Sequence, residues 1–138
     1  MQQFEIFKSR RVTIQKAKGE DYKIYKRQLI THSPVQDRLN IIKDDKIYYL
    51  SIKNEDGKMI GLIQVNEIDE KTANVKICIP NISWRERYGT EALHQFIKCS
   101  KQRKLYNRIY FKKNNSIVEA YNKKRPDALI TGYYIDIA

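Results

Sequence analysis

The stretch WRERYGTEAL (84–93) gathers side chains that suit the binding of an anion. It follows an apolar run and precedes a segment with helical periodicity, so we predict a turn that leads from a strand into a helix beginning at Thr90. The free N–H groups of a helix N-terminus attract negative charge. Arg85 and Arg87 can reach phosphate oxygens, and Gly89 lets the backbone approach a ligand closely. The alternative is an ordinary turn with two exposed arginines.

The charge of the chain also indicates an anionic partner. The formal net charge is +11 over 138 residues, and it is distributed unevenly. Residues 1–70 hold 13 Lys and Arg against 11 Asp and Glu, whereas residues 71–138 hold 14 against 5. A surplus of this kind favours nucleic acid, a phosphate-bearing ligand or an acidic surface as the partner. The alternative is that basic side chains simply form solvated faces.

Other kinds of site have little support in the sequence. The cysteines, Cys78 and Cys99, and the histidines, His32 and His94, lack the spacing of a metal or redox motif, so we expect packing residues and no metal. No apolar run is long enough to span a membrane, and the N-terminus does not resemble a signal peptide. We therefore expect a cytoplasmic protein with one domain, 1–138, and no membrane partner.

The order of secondary-structure elements indicates an α+β fold. Alternating or apolar runs predict strands at 10–16, 46–53, 59–68, 73–80 and 108–111, with one or two short strands after residue 127. Helical spacing predicts helices at 20–32, from Thr90 onward, and at 116–124. The predicted order is β-α-β-β-β-α-β-α-β, with three antiparallel strands followed by a crossover that makes 73–80 and 108–111 parallel neighbours.

Two motifs in this order resemble the GCN5-related N-acetyltransferase superfamily. RYGTEAL (87–93) is similar to the cofactor loop of that family, whose pattern is Arg/Gln-x-x-Gly-x-Gly/Ala. NNSIVEAYNK (114–123) is similar to its later motif, with Asn114, Tyr121 and Lys123 at the family's intervals. The resemblance covers about residues 11 to 121 and implies a mixed, centrally splayed sheet flanked by helices.

The resemblance also implies a co-substrate, acetyl-coenzyme A, and the residues that bind it. The strands 73–80 and 108–111 would splay to admit the pantetheine arm, with backbone groups near Ile77 and Ile79 pairing with its amides. The expected cofactor-binding residues are Ile77, Ile79, Arg85, Arg87, Tyr88, Gly89, Thr90, Asn114 and Lys123.

The sequence departs from the family pattern at several positions. The first glycine of the loop aligns with Arg87 and the Arg/Gln position with Trp84, so Gly89 is the glycine that stays in register. Ile117 replaces the usual small residue after the asparagine. The C-terminus is shorter than in the family, so we expect a last strand that is short, absent or supplied by the partner subunit of a homodimer.

Two residues are candidates for acid and base catalysis. The motif resemblance implies that the Tyr121 hydroxyl lies near the cofactor sulfur and protonates the leaving thiolate, and the alternative is a ring that packs on the sheet. Strand 73–80 carries no carboxylate, so Glu67 on the preceding strand is the nearest candidate base, acting through water. The alternative for Glu67 is a solvated hairpin residue.

Two functions of different classes remain open from the sequence. The first is acetyl transfer to a primary amine on a small molecule, a protein or a charged transfer RNA. The second is a non-catalytic module of the same fold that binds RNA or another polyanion through its basic C-terminal half. In that case the stacking platforms would be tyrosines: Tyr88, Tyr106, Tyr110, Tyr133 and Tyr134.

Overall fold

The computed structural model describes residues 6–125 and 134–136, and it contains one seven-stranded sheet with three helices. The strands are β1 (Phe7–Lys8), β2 (Thr13–Lys16), β3 (Ile47–Lys53), β4 (Met59–Asp69), β5 (Thr72–Cys78), β6 (Arg108–Phe111) and β7 (Tyr134–Asp136). The helices are α1 (Gly19–Ile24), α2 (Ile82–Gln102) and α3 (Ser116–Lys124). Strand order in the sheet follows the chain from β1 to β7, and the predicted α+β class is confirmed.

The central strands form the antiparallel meander that the sequence predicts. β3 pairs with β4 around a tight turn in which Gly57 has a φ of 77°, and the Asn54 side chain accepts the N–H groups of Asp56 and Lys58 at 3.0 Å. Glycine takes this left-handed conformation without steric cost. The hairpin signal in the sequence is therefore confirmed by the register of the strands.

β4 and β5 come unusually close at Gly61. A Cβ atom built on Gly61 would lie 2.3 Å from the carbonyl oxygen of Cys78, so no larger residue fits there without moving backbone. This contact lies at the end of β5 where the chain leaves the sheet for α2. Gly61 thus allows the close packing of the two strands beside the predicted opening.

Helix α2 carries the chain from β5 to β6, and the two strands are parallel as predicted. Their pairing extends from Thr72 opposite Arg108 to Val75 opposite Phe111. β6 ends at Phe111, whereas β5 continues to Cys78. The sheet therefore opens between β5 and β6, which is the predicted central splay.

The N-terminal part differs in detail from the sequence prediction. A bend in which Ser9 N–H donates to the Val12 carbonyl at 2.9 Å splits the predicted strand 10–16, so that β1 pairs with β2 as an extra hairpin. The predicted helix 20–32 is α1 followed by a π-helical turn (Tyr25–Leu29) and a 3₁₀ turn (Ile30–His32).

Apolar side chains fill both faces of the sheet. The larger cluster lies between the sheet and helices α2 and α3, and it includes Phe7, Ile63, Val75, Phe96 and Ile109. A smaller cluster on the other face packs against α1 and the turns after it, and it includes Tyr25, Leu39 and Leu62. The predicted strands after residue 127 correspond to β7 where described, and the rest of that segment lies outside the described residues.

Candidate functional site

The turn predicted before a helix from Thr90 is wrong, because residues 84–89 already lie inside helix α2. The helix begins at Ile82, and Asn81 caps it by accepting the Trp84 N–H at 3.1 Å. Asparagine is a preferred N-cap residue, and the Pro80 before it belongs outside a helix. The Arg85 N–H already donates to the Asn81 carbonyl at 2.8 Å. The amides after it belong to the interior of the helix.

Gly89 faces helix α3 in the structure. A Cβ on Gly89 would lie 3.2 Å from Cγ1 of Ile117, so the missing side chain allows the two helices to approach. Ile117, which replaces the family's small residue, fills that space. The expectation that Gly89 faces a ligand is therefore wrong at the level of geometry.

Tyr88 is buried and its hydroxyl donates to Glu55. The guanidinium groups of Arg11 and Arg87 lie over its ring at 4.8 Å and 5.1 Å from the centroid. These contacts tie the second turn of α2 to the β3–β4 turn and to the N-terminal hairpin. A contact of Tyr88 with a cofactor has no support in this geometry.

The opening between β5 and β6 is bridged by Asn115. Its side-chain amide donates to the Ile77 carbonyl at 2.7 Å, while its Oδ1 accepts the N–H groups of Ile117 and Val118 at 3.0 Å and 3.1 Å. Asn115 is 2% exposed and caps helix α3. The side chain therefore fixes the start of α3 to the edge of β5 where the strands separate.

This bridge corrects the register of the second motif. The asparagine that holds the opening is Asn115, whereas Asn114 and Lys123 are exposed. Either asparagine could cap the helix on sequence grounds, since both precede an apolar helical pattern.

Arg85 contacts the chain just after the end of β5. Its Nη1 donates to the carbonyls of Ile79 and Pro80 at 3.3 Å and 3.2 Å, so the side chain folds back over the end of β5. Backbone groups near Ile77 and Ile79 were predicted to pair with a ligand, and the carbonyls of both residues have internal partners. A carbonyl oxygen can accept a second hydrogen bond, so a ligand could still use them.

Tyr121 lies between helices α2 and α3 and is 2% exposed. Its hydroxyl lies 3.5 Å from Nδ1 of His94, and their rings are stacked with centroids 6.3 Å apart. Burial raises the pKa of the Tyr121 phenol above its usual value. The hydroxyl therefore holds its proton at neutral pH, and its described contact is with His94.

Glu67 lies at the opposite end of β4 from the opening. It stands opposite Ala73, whereas Ile63 stands opposite Ile77, a separation of about 13 Å along the strand. Its carboxylate accepts the Tyr106 hydroxyl at 2.6 Å, and burial together with this bond raises the pKa of Tyr106. The geometry gives the predicted base no access to the opening.

A buried polar cluster beneath the end of β5 was not found from the sequence. The Tyr25 hydroxyl accepts the Leu39 N–H at 2.8 Å and donates to the Cys78 sulfur at 3.8 Å, and Cys78 donates to the Ser33 hydroxyl at 3.3 Å. Burial raises the pKa of both the Tyr25 phenol and the Cys78 thiol. These groups hold the segment after α1 against the sheet.

Asp37 extends this cluster to helix α3. Its carboxylate accepts the Ser116 N–H at 3.1 Å and the Ser116 hydroxyl, and the side chain is 2% exposed. A carboxylate is stabilised at a helix N-terminus. Asp37 therefore already supplies the negative charge at the first turn of α3, next to the opening.

Comparison with known structures identifies the fold. RimL, a ribosomal-protein α-N-acetyltransferase, superposes with a TM-score of 0.66 and 14% identity, covering 89% of this chain and 80% of that chain. The spermidine/spermine N-acetyltransferase SpeG of Vibrio cholerae gives 0.63 and 15%, covering 92% and 93%. The fold is that of the GCN5-related N-acetyltransferases. No family model and no curated protein matches the sequence.

The opening between β5 and β6 fits a part of acetyl-coenzyme A, whereas the start of helix α2 does not fit its pyrophosphate. The opening between β5 and β6 fits an extended arm, because β5 continues past its last pair with β6. The amides of residues 85–90 do not fit a pyrophosphate, since helix α2 encloses them. Any phosphates at this end of the molecule must therefore be bound by other groups.

A depression between helices α2 and α3 is lined mainly by positively charged side chains. We call it the cationic crevice. It has a volume of about 550 Å³ and is lined by Arg11, Arg87, Thr90, Glu91, His94, Lys124 and Arg125. It thus contains two of the residues predicted to bind the cofactor, Arg87 and Thr90, in an arrangement that the sequence did not predict.

The opposite face of the sheet carries a second depression beside the opening. Its volume is about 540 Å³, and its lining residues are Ile68, Asn74, Lys76, Tyr110, Phe111 and Lys112. Among the predicted stacking tyrosines, Tyr110 lines this depression, and the ring centroid of Tyr134 lies 5.6 Å from that of Tyr110. Tyr88 and Tyr106 are buried, which contradicts a stacking role, and Tyr133 lies outside the described residues.

Two further searches cover residues 6–125 and 134–136. Within these ranges, no group of three or more His, Cys, Asp or Glu residues is placed to hold a metal ion. None of the helices described is both long and apolar enough to cross a membrane.

Proposed function

We propose that the protein transfers an acetyl group from acetyl-coenzyme A to a primary amine. The observation that carries this proposal is the opening between β5 and β6, held by Asn115, within an acetyltransferase fold. Parallel strands that stop pairing leave backbone groups at one edge of β5 without a strand partner. An extended ligand with amide groups suits such an edge, because it can continue the ladder where β6 ends.

The co-substrate, when bound, supplies an acetyl group activated as a thioester. The chain supplies a proton donor and a rigid frame. We propose Tyr121 as the general acid because the motif resemblance implies a hydroxyl near the cofactor sulfur and the phenol carries its proton at neutral pH. Asn115 and Asp37 act as positioning residues, since they fix the start of α3 and the segment after α1 beside the opening.

The depression on the opposite face of the sheet is the candidate acceptor site. It borders the opening on β5 and β6, and its described lining contains Lys76 and Lys112 but no carboxylate. RimL acts on a ribosomal protein and SpeG on polyamines. A polyamine carries several positive charges, which this lining repels. We therefore propose an acceptor with a single reactive amine on a neutral or anionic carrier, such as a protein or a charged transfer RNA.

Thermal unfolding with coenzyme A and acetyl-coenzyme A tests the first step. A ligand that binds only the native state at about 100 times its Kd stabilises by about 2.7 kcal/mol, which raises the Tm by several degrees. Spermidine and an aminoacylated transfer RNA then serve as acceptors in an assay of free thiol release. No Tm shift with either form of the co-substrate contradicts the proposal.

A second candidate is a non-catalytic module of this fold that binds RNA. The observation in its favour is that α2 encloses the amides that would otherwise receive a pyrophosphate, while the chain keeps a net charge of +11. Such a module would bind RNA with an affinity that falls steeply with salt, and it would release no thiol from acetyl-coenzyme A. Salt-independent or undetectable RNA binding excludes it.

A further inference from the structure

The cationic crevice contains more positive than negative side chains, and the charge of Arg87 acts on the nearby Glu55 carboxylate without forming a salt bridge to it. Its carboxylate, Glu91, lies 3.4 Å from a guanidinium nitrogen of Arg11 and accepts the Ser9 hydroxyl at 3.1 Å. In the part of the chain that the structure describes, Arg87, Lys124 and Arg125 form no salt bridge. The crevice therefore carries an excess of positive charge that an anionic ligand would neutralise.

Three separate elements bring these charges together. Positions 87, 90, 91 and 94 lie three or four residues apart on one face of α2. The last turn of α3 contributes Lys124, whose Nζ lies 3.5 Å from the Thr90 hydroxyl. Arg11 from the N-terminal hairpin donates to the Arg87 carbonyl at 3.0 Å. The site is thus made by tertiary structure and not by one run of basic sequence.

The lowered pKa of His94 is in part an effect of the positive charges around the crevice. Burial is the main cause of its lowered pKa, and the nearby charges of Arg125 and Lys98 lower it further. The groups that face His94 are the Tyr121 hydroxyl and the residues of the crevice, of which Glu91 is already paired. A neutral imidazole beside several cations is the state expected in a positive potential.

We infer that the cationic crevice is a phosphate-binding site and that its side chains replace the amide loop of the family. This inference rests on the proposed function, in which the phosphates belong to coenzyme A. Arg87 stands where the family loop has its first glycine, so the change that removes the amide site also adds a guanidinium group. Guanidinium groups bind phosphate oxygens in pairs of parallel hydrogen bonds.

The volume of the crevice favours a compact ligand. About 550 Å³ lies within the usual range for a small-molecule site, and the cations lie in one depression instead of following a track. A nucleotide diphosphate or the phosphorylated end of coenzyme A matches this arrangement. A nucleic-acid strand would need a row of cations along its backbone.

Calorimetric titration of the full chain tests the inference with three probes: coenzyme A, pantetheine and inorganic pyrophosphate. The variants are Arg87→Ala, Arg87→Gly and the double variant Lys124→Ala with Arg125→Ala. Lys101→Ala is the matched control, since Lys101 is an exposed lysine of α2 outside the crevice. Melting curves check that each variant is folded.

We expect coenzyme A and pyrophosphate to bind the native protein and pantetheine to bind much more weakly. The Arg87→Ala and double variants should each weaken both phosphate ligands by about tenfold or more, because charged hydrogen bonds are lost. Lys101→Ala should bind like the native chain. Arg87→Gly restores the family's glycine, so it separates the two ways of binding phosphate, and it should weaken binding as Arg87→Ala does.

Each other outcome is decisive. If coenzyme A binds and the crevice variants leave its affinity unchanged, or Arg87→Gly strengthens it, the inference is wrong and the proposed function survives. If pyrophosphate binds and responds to the variants while coenzyme A does not bind, the site stands and the proposed function is wrong. If neither ligand binds, both are wrong.

Discussion

Replacing Gly89 with valine tests the contact between helices α2 and α3. The first added atom would lie 3.2 Å from Cγ1 and 3.4 Å from Cγ2 of the buried Ile117. Overpacking of this kind costs about 1–3 kcal/mol, and the better helix propensity of valine recovers a few tenths. For a chain of 138 residues a loss near 2 kcal/mol lowers the Tm by about 6–10 °C.

Gly19→Val is the matched control, because no atom lies within 4 Å of a Cβ at that position. We expect its stability to stay within about 0.5 kcal/mol of the native chain in the same thermal melts. Adding Ile117→Ala to Gly89→Val should recover part of the loss, with a coupling energy of about 0.5–3 kcal/mol. A Gly89→Val protein that melts like the native chain but no longer binds coenzyme A would refute this reasoning, since it would return Gly89 to the ligand.

Three further predictions concern the polar groups. Asp37→Ala removes the acceptor of the half-buried Ser116 N–H and hydroxyl, so urea unfolding should show a loss of about 1–3 kcal/mol, and an unchanged midpoint contradicts the bridge. Tyr121→Phe should reduce kcat about tenfold with little change in Tm, because the described partner of its hydroxyl lies at 3.5 Å; unchanged turnover indicates a packing role. The lowered pKa of His94 predicts stability that is fully present above pH 6.5 and is lost as the pH falls towards the folded value, because the unfolded chain binds the proton first. His94→Gln should flatten this dependence in urea titrations at a series of pH values, and an unaltered slope assigns it to other groups.

The strands were predictable because their apolar patterns are local. The two runs around Gly57 show strand spacing and a turn signal, and the change of period after β5 indicates the crossover that makes β5 and β6 parallel. These features need no knowledge of distant residues. The motif resemblance then led to the correct fold, which the superposition with RimL and SpeG confirms.

The start of α2 was missed because a glycine and two arginines were interpreted as a turn. The helix signal was present at Asn81, a good N-cap directly after proline. Glycine inside a helix costs up to about 1 kcal/mol, a cost that the close contact with Ile117 offsets. That contact joins residues 28 positions apart, so no local pattern reveals it.

The polar pairs around the opening could not be predicted from the sequence, because their partners are far apart in the chain. Asp37 and Ser116 are 79 positions apart in the chain, and Tyr25 and Cys78 are 53 apart. Each pair forms only when the segment after α1 packs on the sheet. Neither residue type nor spacing indicates such a pair in advance.

Because Cys78 is buried, the reactivity of its thiol reports how often the segment after α1 separates from the sheet. Its sulfur is covered by Tyr25 and Ser33, and the raised pKa keeps it in the unreactive thiol form. A thiol reagent can reach it only when the cover lifts, so the rate of labelling reports how often the segment leaves the sheet.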